Sequence, residues 1–315
     1  MSKLIIGFIT YGKLTAKYLP YFLSSLREQT FKDFNILAVD DSEEEDNENS
    51  QYIKSNFPEI ELSWAGKNIG FAAAYNRMMN LATGQAAEYF LMLNPDMILE
   101  SEAITKMIQA MDGDDRLASV GPKVLKWNFK ENKKTNFIDT YGIVMRPGLR
   151  FVDLGQNQLD HKQYDNVNIL GPSGCAAMYR LSALEKIKTN GQYFDELFFM
   201  YKEDCDLALR LKLAGFKAKL VPDAIIYHNR SASGQGESDL AAALNRKNKS
   251  RQIKQWSFFG QQIIFLKYWR RQNWSNKLMI IWYEFKMIIF TLLFERYLLK
   301  ELYRAWILRR DIKNL

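Results

Sequence analysis

Three sets of residues in this 315-residue chain have types and spacings suited to chemistry: the acidic run Glu203-Asp204-Cys205-Asp206, the triplet Asn94-Pro95-Asp96, and His228. In the adjacent carboxylates Glu203 and Asp204, one member can take a proton from an attacking hydroxyl while the other orients it or binds that hydroxyl. The same pair at the amino end of a helix can equally be a cap that favours the helix dipole. Asp96 is a hard oxygen ligand of the kind that holds Mg2+ or Mn2+ against a diphosphate, where phosphate oxygens and water supply the remaining ligands. His228 adds an imidazole, which tolerates manganese better than magnesium; a histidine after a strand is otherwise a structural residue. Each acidic group abuts an apolar stretch, Tyr89 to Leu93 and Leu197 to Tyr201. That places carboxylates at the ends of buried elements, where open α/β sheets bind ligands.

Two further groups fit a nucleotide. The first two strand-like runs end at Thr10-Tyr11-Gly12 and Val39-Asp40-Asp41-Ser42, so a base can sit between polar groups at neighbouring strand ends. A carboxylate at Asp41 accepts the ring N–H of uracil or thymine, which adenine and cytosine do not offer in that form; a strand-ending Asp40-Asp41 pair can also be a cap or turn. Asn68-Ile69-Gly70 opens the run to Asn76 with small residues at a helix start, which permits close backbone approach and favours phosphate. Tight packing of Ala72 to Ala74 on a sheet is the plainer reading, and it leaves Asn68 and Asn76 unexplained.

The elements that must position these groups follow from the hydrophobic pattern. Strands are expected at Leu4 to Ile9, Phe34 to Val39, Glu61 to Trp64 and Tyr89 to Leu93. Helices are expected at Tyr18 to Gln29, Ser50 to Asn56, Gly70 to Ala82 and Ser101 to Met111. Strand alternating with helix implies an α/β fold with a largely parallel sheet covered on both faces. Beyond Ser119 the runs shorten, with Gly121-Pro122, Pro147-Gly148 and Gly171-Pro172 as breakers. Asp204 to Ala214 reads as a helix stopped by Gly215, followed by two strands, Lys217 to Val221 and Ile225 to His228. Ser231 to Gly236 is small and flexible enough to act as a lid.

Length allows one domain of about 200 to 250 residues plus an appendage, and 47% hydrophobic with 25% charged residues argues against wholesale disorder. Two cysteines, Cys175 and Cys205, argue against a disulfide framework and favour a reducing compartment. The apolar run after Met1 has the length of a strand rather than of a secretory segment, so the chain reads as cytoplasmic. The net charge of +7 is concentrated between Arg246 and Arg310, interleaved with Trp256, Trp269, Trp274, Trp282 and Trp306. Basic and aromatic residues in this pattern fit an anionic membrane surface, with a plain packing helix as the alternative. Nucleic acid is disfavoured because no nucleic-acid module accompanies it. Trp256 to Leu266 and Leu278 to Phe294 read as apolar helices, the second too short for a bilayer span and so lying on a membrane rather than crossing it.

Five segments in this order, Val39-Asp40-Asp41-Ser42, Asn68 to Asn76, Leu93-Asn94-Pro95-Asp96, Gly171-Pro172-Ser173-Gly174-Cys175 and Phe199-Met200-Tyr201-Lys202-Glu203-Asp204 leading to His228, resemble family 2 glycosyltransferases of GT-A fold. Within that family the chain is most similar to the rhamnosyltransferase-like branch. The resemblance spans Lys3 to Ser233. It implies a Rossmann-like, mostly parallel mixed sheet flanked by helices over residues 1–236, with a basic, aromatic helical region over 237–315. It further implies nucleotide contacts from Thr10 and Asp41, ribose and metal-diphosphate contacts from Asn94 and Asp96, metal contact from His228, and Asp204 as general base. Gly171, Ser173, Gly174 and Cys175 resemble the loop that lines the donor-sugar and acceptor pocket. Asn94 departs from the acidic residue of the commoner Asp-x-Asp motif, as is typical of the rhamnosyltransferase-like branch, which uses dTDP-L-rhamnose and inverts. The expected activity is transfer from such a donor, with Mn2+ or Mg2+, to a saccharide or lipid-linked saccharide at the inner face of the membrane. A UDP-hexose or UDP-galactofuranose donor and a non-catalytic nucleotide-sugar-binding protein are the alternatives. A nucleotidyltransferase would need a richer phosphate loop than Thr10-Tyr11-Gly12-Lys13.

Overall fold

The computed structural model describes residues 2–230, 250–310 and 312. The amino-terminal half of its central sheet is parallel: β1 (Leu4–Thr10) lies between β2 (Phe34–Asp40) and β4 (Tyr89–Leu93), and β3 (Glu61–Trp64) pairs with the outer edge of β2. Antiparallel β10 (Ala176–Arg180) joins β4 to β6 (Leu117–Asn128), and β11 (Lys217–His228) runs parallel to β6. Short β5 (Met97–Leu99) closes that edge against β11, and β7 (Lys133–Thr140) lies antiparallel to β6. The nine strands thus run in the order β3-β2-β1-β4-β10-β6-β11-β5, with β7 off this path. A two-stranded ribbon, β8 (Ile143–Arg146) and β9 (Arg150–Asp153), turns at Pro147-Gly148 as expected.

Alternation along β1 shows how both faces are covered. Leu4, Ile6 and Phe8 face one core with residues of α2 (Leu19–Arg27), α3 (Glu48–Asn56) and α5 (Ala103–Asp112). Ile5 faces the other with α4 (Phe71–Gly84), α6 (Leu181–Ile187) and α7 (Glu203–Leu213). A single-turn helix, α1 (Gly12–Ala16), follows β1.

Two expectations about the second half need correction. Gly121-Pro122 does not break the chain: β6 runs through it, with Gly121 opposite Leu220 and Pro122 opposite Val221 in unbroken register. Proline is tolerated there because the register irregularity begins immediately afterwards, between Val221 and Ile225. That irregularity is also why the two expected strands, Lys217 to Val221 and Ile225 to His228, are one strand bent at Pro222-Asp223. The expected lid, Ser231 to Gly236, lies outside the described residues.

The carboxyl-terminal region is helical: α8 (Arg251–Tyr268), α9 (Trp274–Phe294) and α10 (Leu299–Leu308). The Asn273 side chain accepts from the Asn276 amide and so starts α9 one turn before Leu278, giving 21 residues. Among the described residues no helix is long and apolar enough to cross a membrane. Helix α8 shares a core with the sheet-bearing part, packing Phe259, Ile263 and Ile264 with Phe198, Cys205 and Leu209.

Beside that core lies a buried ion network. Lys267 Nζ sits 2.6 Å from Asp206 Oδ1 and 2.9 Å from Asp195 Oδ2, while Arg210 Nε donates to Asp206 Oδ2 at 2.9 Å. The Tyr268 hydroxyl donates to Asp206 Oδ1 at 2.9 Å, and Arg210 also reaches the Tyr193 carbonyl. Burial opposes the charged form of Asp206, but Lys267 and Arg210 outweigh it and hold the carboxyl below its usual range. Removing one partner of such a cluster strands a buried charge. Lys267→Met is expected to cost about 3–5 kcal/mol in guanidinium denaturation of the full chain; a loss below about 1 kcal/mol, the surface-pair range, would mean that the network does not fasten α8.

Candidate functional site

Thr10, Asp40, Asp41, Asn94, Asp96 and His228 lie along one edge of the sheet, where β1, β2, β4 and β11 end and β10 begins. Thr10 and Asp40 are register partners at the ends of β1 and β2. Asp40 is taken up internally: its Oδ1 accepts from the Ser42 amide at 3.1 Å and hydroxyl at 2.5 Å, and its Oδ2 accepts from Asn47 Nδ2 at 2.6 Å. Asp41 differs, because its Oδ1 is buried without a hydrogen-bond partner among the described residues, as is the Thr10 hydroxyl. Two buried polar atoms without partners at adjacent strand ends are the arrangement a ligand completes. Burial raises the Asp41 carboxyl from its ordinary value of 3.8 to about 7; the amides of Ile69 and Gly70 pull it down, and Asp40 pushes it further up.

Those amides belong to the turn that begins with Asn68, whose Oδ1 accepts from the Gly70 amide at 3.0 Å. Gly70 has φ +86, and a Cβ there would lie 2.6 Å from the Phe199 ring, so the close approach requires glycine. The next amide, of Phe71, donates to the Phe199 carbonyl at 2.9 Å. Asn76 is turned inward, accepting from the amides of Tyr193 and Phe194 and donating to Phe194 O and Glu196 Oε1. It braces the segment before the acidic run and makes no part of the open site.

Phe199 leads into Tyr201 and Lys202, which have φ of +72 and +78 and stand immediately before α7. Two successive non-glycine residues in the left-handed region are strained and are held only by their surroundings. The brace is α8: a Cβ on Gly260 would lie 2.8 Å from the Tyr201 carbonyl, and Trp256 packs on Phe199 with ring centroids 4.9 Å apart. This turn presents Glu203 and Asp204. Asp204 Oδ2 accepts from the Gly174 amide at 2.9 Å, and its Oδ1 from the Cys205 amide at 2.8 Å. Glu203 is buried, its Oε2 has no partner among the described residues, and burial with the Asp204 charge pushes its carboxyl well above the ordinary range. The two adjacent carboxyls therefore differ in surroundings: Glu203 is buried, whereas Asp204 is held by two backbone amides.

The loop from Gly171 to Cys175 bridges the two halves of the site. Gly171 packs against Ala208 of α7, Ser173 and Cys175 are buried, Gly174 bonds Asp204, and the Cys175 carbonyl accepts from the Asn94 amide at 2.9 Å. Two residues beyond Asn94, Asp96 Oδ1 receives His228 Nε2 at 3.1 Å. The other ring nitrogen, Nδ1, donates to Asp139 Oδ2 at 2.8 Å. Burial would lower the His228 pKa, but Asp96 and Asp139 on its two nitrogens outweigh it and raise it well above the ordinary value.

Asp139 and its partner Arg230 join this cluster and are not selected from the sequence. Asp139 is fully buried and ion-paired with Arg230, which also bonds Asp153 Oδ2 at 2.8 Å. A charged residue inside the apolar run Phe137-Ile138-Asp139-Thr140-Tyr141 is the available signal. Ligand atoms of Asp139, Cys175 and His228 lie within 4.8 Å of one another. Of the two carboxylates flanking the ring, Asp96 is the partly accessible one, with 16% of its side chain exposed against 0% for Asp139. A hard carboxylate oxygen and an imidazole nitrogen 3.1 Å apart fit a divalent cation once the ring gives up its Nε2 proton. The buried Asp139 fits the supporting role of orienting the ring.

The protein has the fold of the GT-A glycosyltransferases. It superimposes on a mannosyltransferase from Pyrobaculum calidifontis, solved with GDP-Man and Mn2+, with a TM-score of 0.54 and 12% identity, covering 100% of this chain and 76% of the other. The TM-score is 0.57, with 12% identity and 84% and 51% coverage, against GalNAc-T7 solved with UDP, GalNAc and Mn2+. Residues 6–188 match glycosyl transferase family 2, and residues 152–308 match glycosyl transferase family group 2. The chain therefore belongs to glycosyltransferase family 2, which makes transfer from a nucleotide-sugar its class of activity. It is 26% identical over 248 residues, 72% of this chain and 76% of the relative, to an N-acetylglucosaminyl-diphospho-decaprenol L-rhamnosyltransferase of Mycobacterium tuberculosis.

Asp41 gives the site a measurable signature. With a carboxyl at 3.8 unfolded and about 7 folded, the native state keeps a proton between those values that the unfolded state has released. Stability from this group therefore falls as pH rises through that window. Asp41→Asn removes the dependence, so its melting temperature is expected to gain on the wild type from pH 5 to pH 8; a pH-independent difference would contradict the raised carboxyl.

Proposed function

We propose that the protein transfers L-rhamnose, with inversion, from dTDP-L-rhamnose to a hydroxyl of a lipid-linked saccharide at the cytoplasmic face of a membrane. The observation that carries this reading is Asp204, fixed by two backbone amides on a strained turn, with the buried Glu203, its carboxyl pushed up by burial, beside it. A single accepting carboxylate suits single displacement, in which a base deprotonates the acceptor as it attacks the anomeric carbon from the face opposite the leaving diphosphate. Thr10 and Asp41 take the base; an ionised Asp41 accepts the ring N–H of thymine, and that bond in turn favours the ionised form. Uracil offers the same N–H, which keeps UDP-hexose and UDP-galactofuranose as the competing donors.

Asp96 and His228 would hold a divalent cation, Mn2+ or Mg2+, which when bound offsets the charge developing on the leaving diphosphate. Asp139 holds the His228 ring in place through Nδ1. The loop carrying Ser173, Gly174 and Cys175 lies between that pair and Asp204, where the donor sugar and the acceptor hydroxyl must meet. Support for rhamnose and for a lipid-linked acceptor comes from the mycobacterial relative.

The membrane part of the reading rests on α9 and α10. Trp274 is 79% and Phe294 72% exposed, and Leu278, Trp282, Leu293, Tyr303 and Trp306 stand out with them. An apolar face of this extent marks an interaction surface. Residues 251–310 carry twelve Lys and Arg against three Glu, so an anionic lipid surface complements that face.

Two experiments test the reading. Asp204→Asn is expected to retain dTDP-L-rhamnose binding in calorimetry while losing at least about 100-fold in turnover, as removal of a general base does; undiminished turnover would remove Asp204 from its role, and absence of binding in both proteins would remove the donor. In flotation, the full chain is expected to rise with phosphatidylglycerol vesicles and to do so less as salt increases. Recovery in the soluble fraction with every lipid would end the membrane assignment.

A further inference from the structure

The helices α8 and α9 line an open groove of about 430 Å3 that the transfer reaction described above does not use. Its walls are Phe265, Trp269, Ile280, Ile281, Phe285 and Ile288. The polar side chains there are Gln262 and Glu284, and they satisfy each other, Gln262 Nε2 donating to Glu284 Oε1 at 3.1 Å. Burial raises the Glu284 carboxyl, and the remaining lining is apolar. A volume of this order is that of a small-molecule site, and its lining selects hydrocarbon.

We propose that this cleft seats part of the isoprenoid chain of a polyprenyl-diphosphate-linked acceptor; the proposal rests on the lipid-linked acceptor advanced above. Position favours this occupant. The same helix α8 that forms one wall of the cleft supports the Asp204 turn on another side, with Gly260 against the Tyr201 carbonyl. The turn and the cleft thus share α8, with Gly260 facing the first and Phe265 and Trp269 lining the second, and the diphosphate and first sugar of the acceptor are the part that must pass from one to the other. The cleft is also continuous with the apolar surface. Ile281, Phe285 and Ile288 belong both to it and to the exposed face of α9, so a chain leaving the cleft enters the surface that meets lipid. Charge selects in the same direction. Twelve basic residues against three acidic ones over 251–310 repel a second copy of the chain and suit a diphosphate headgroup.

The test is photolabelling of the full chain, in nonionic detergent, with a benzophenone-tagged farnesyl diphosphate, followed by peptide mapping. Labelling is expected within residues 262–288, displaced by a long-chain polyprenyl phosphate but by neither dioleoylphosphatidylglycerol nor inorganic diphosphate. Ile281→Lys and Phe285→Lys change exposed side chains and should fold; each is expected to lower labelling about tenfold, the equivalent of some two buried methylenes. Labelling elsewhere, equal displacement by the phospholipid, or labelling indifferent to both variants would overturn the proposal. dTDP binding by the same samples separates the two readings: its absence with labelling intact removes the dTDP-L-rhamnose donor and leaves the cleft, whereas binding without labelling of 262–288 removes the cleft alone.

Discussion

Asp206 is a carboxylate with no exposure to solvent, and its neutralisation by Lys267 and Arg210 is the constraint on which the rest of the arrangement depends. It sits in the first turn of α7, two residues after Asp204, while Lys267 arrives from the last turn of α8. An uncompensated charge at that depth would be untenable. The ion cluster therefore fixes α8 against α7, and α8 in turn supports the left-handed Tyr201-Lys202 pair that aims Asp204. The sheet edge and the packing of the carboxyl-terminal helices are in this way one mechanical unit.

Electrostatics then separates roles among residues of the same type. Six carboxylates lie in or behind the site, and their surroundings sort them. Asp40 and Asp139 are held by internal partners, Asp41 and Glu203 are pushed up by burial, and Asp96 and Asp204 stay partly exposed. Nothing in the residue types alone assigns these differences; depth and neighbouring amides do.

The amino-terminal half is legible in the sequence because its strands are continuous apolar runs between unambiguous helices, and β3 and β4 begin and end at the expected residues. The second half is less so for physical reasons. A proline inside β6 and a bulge at Pro222-Asp223 both imitate chain breaks, although long-range pairing overrides them. Residues at strand ends and in the five motifs can be selected from sequence, since each needs a particular side chain at a particular end. Asp139 cannot, because its importance comes from meeting His228 across 89 residues of chain, and neither can the strain at Tyr201-Lys202, which belongs to residue types with no preference for it.

The placement of β11 has a consequence for how the protein is made. This strand pairs with β6 across about a hundred residues, and the segment carrying Lys267 follows later still. During synthesis the sheet can assemble only as far as β10 before β11 emerges, and Asp206 awaits its counter-charge until α8 has left the ribosome. Contacts so distant in sequence form late. A nascent chain is thus barred from completing the Asp204 turn until most of it exists, so that termination between His228 and Lys267 yields a polypeptide with its motifs intact and no assembled site.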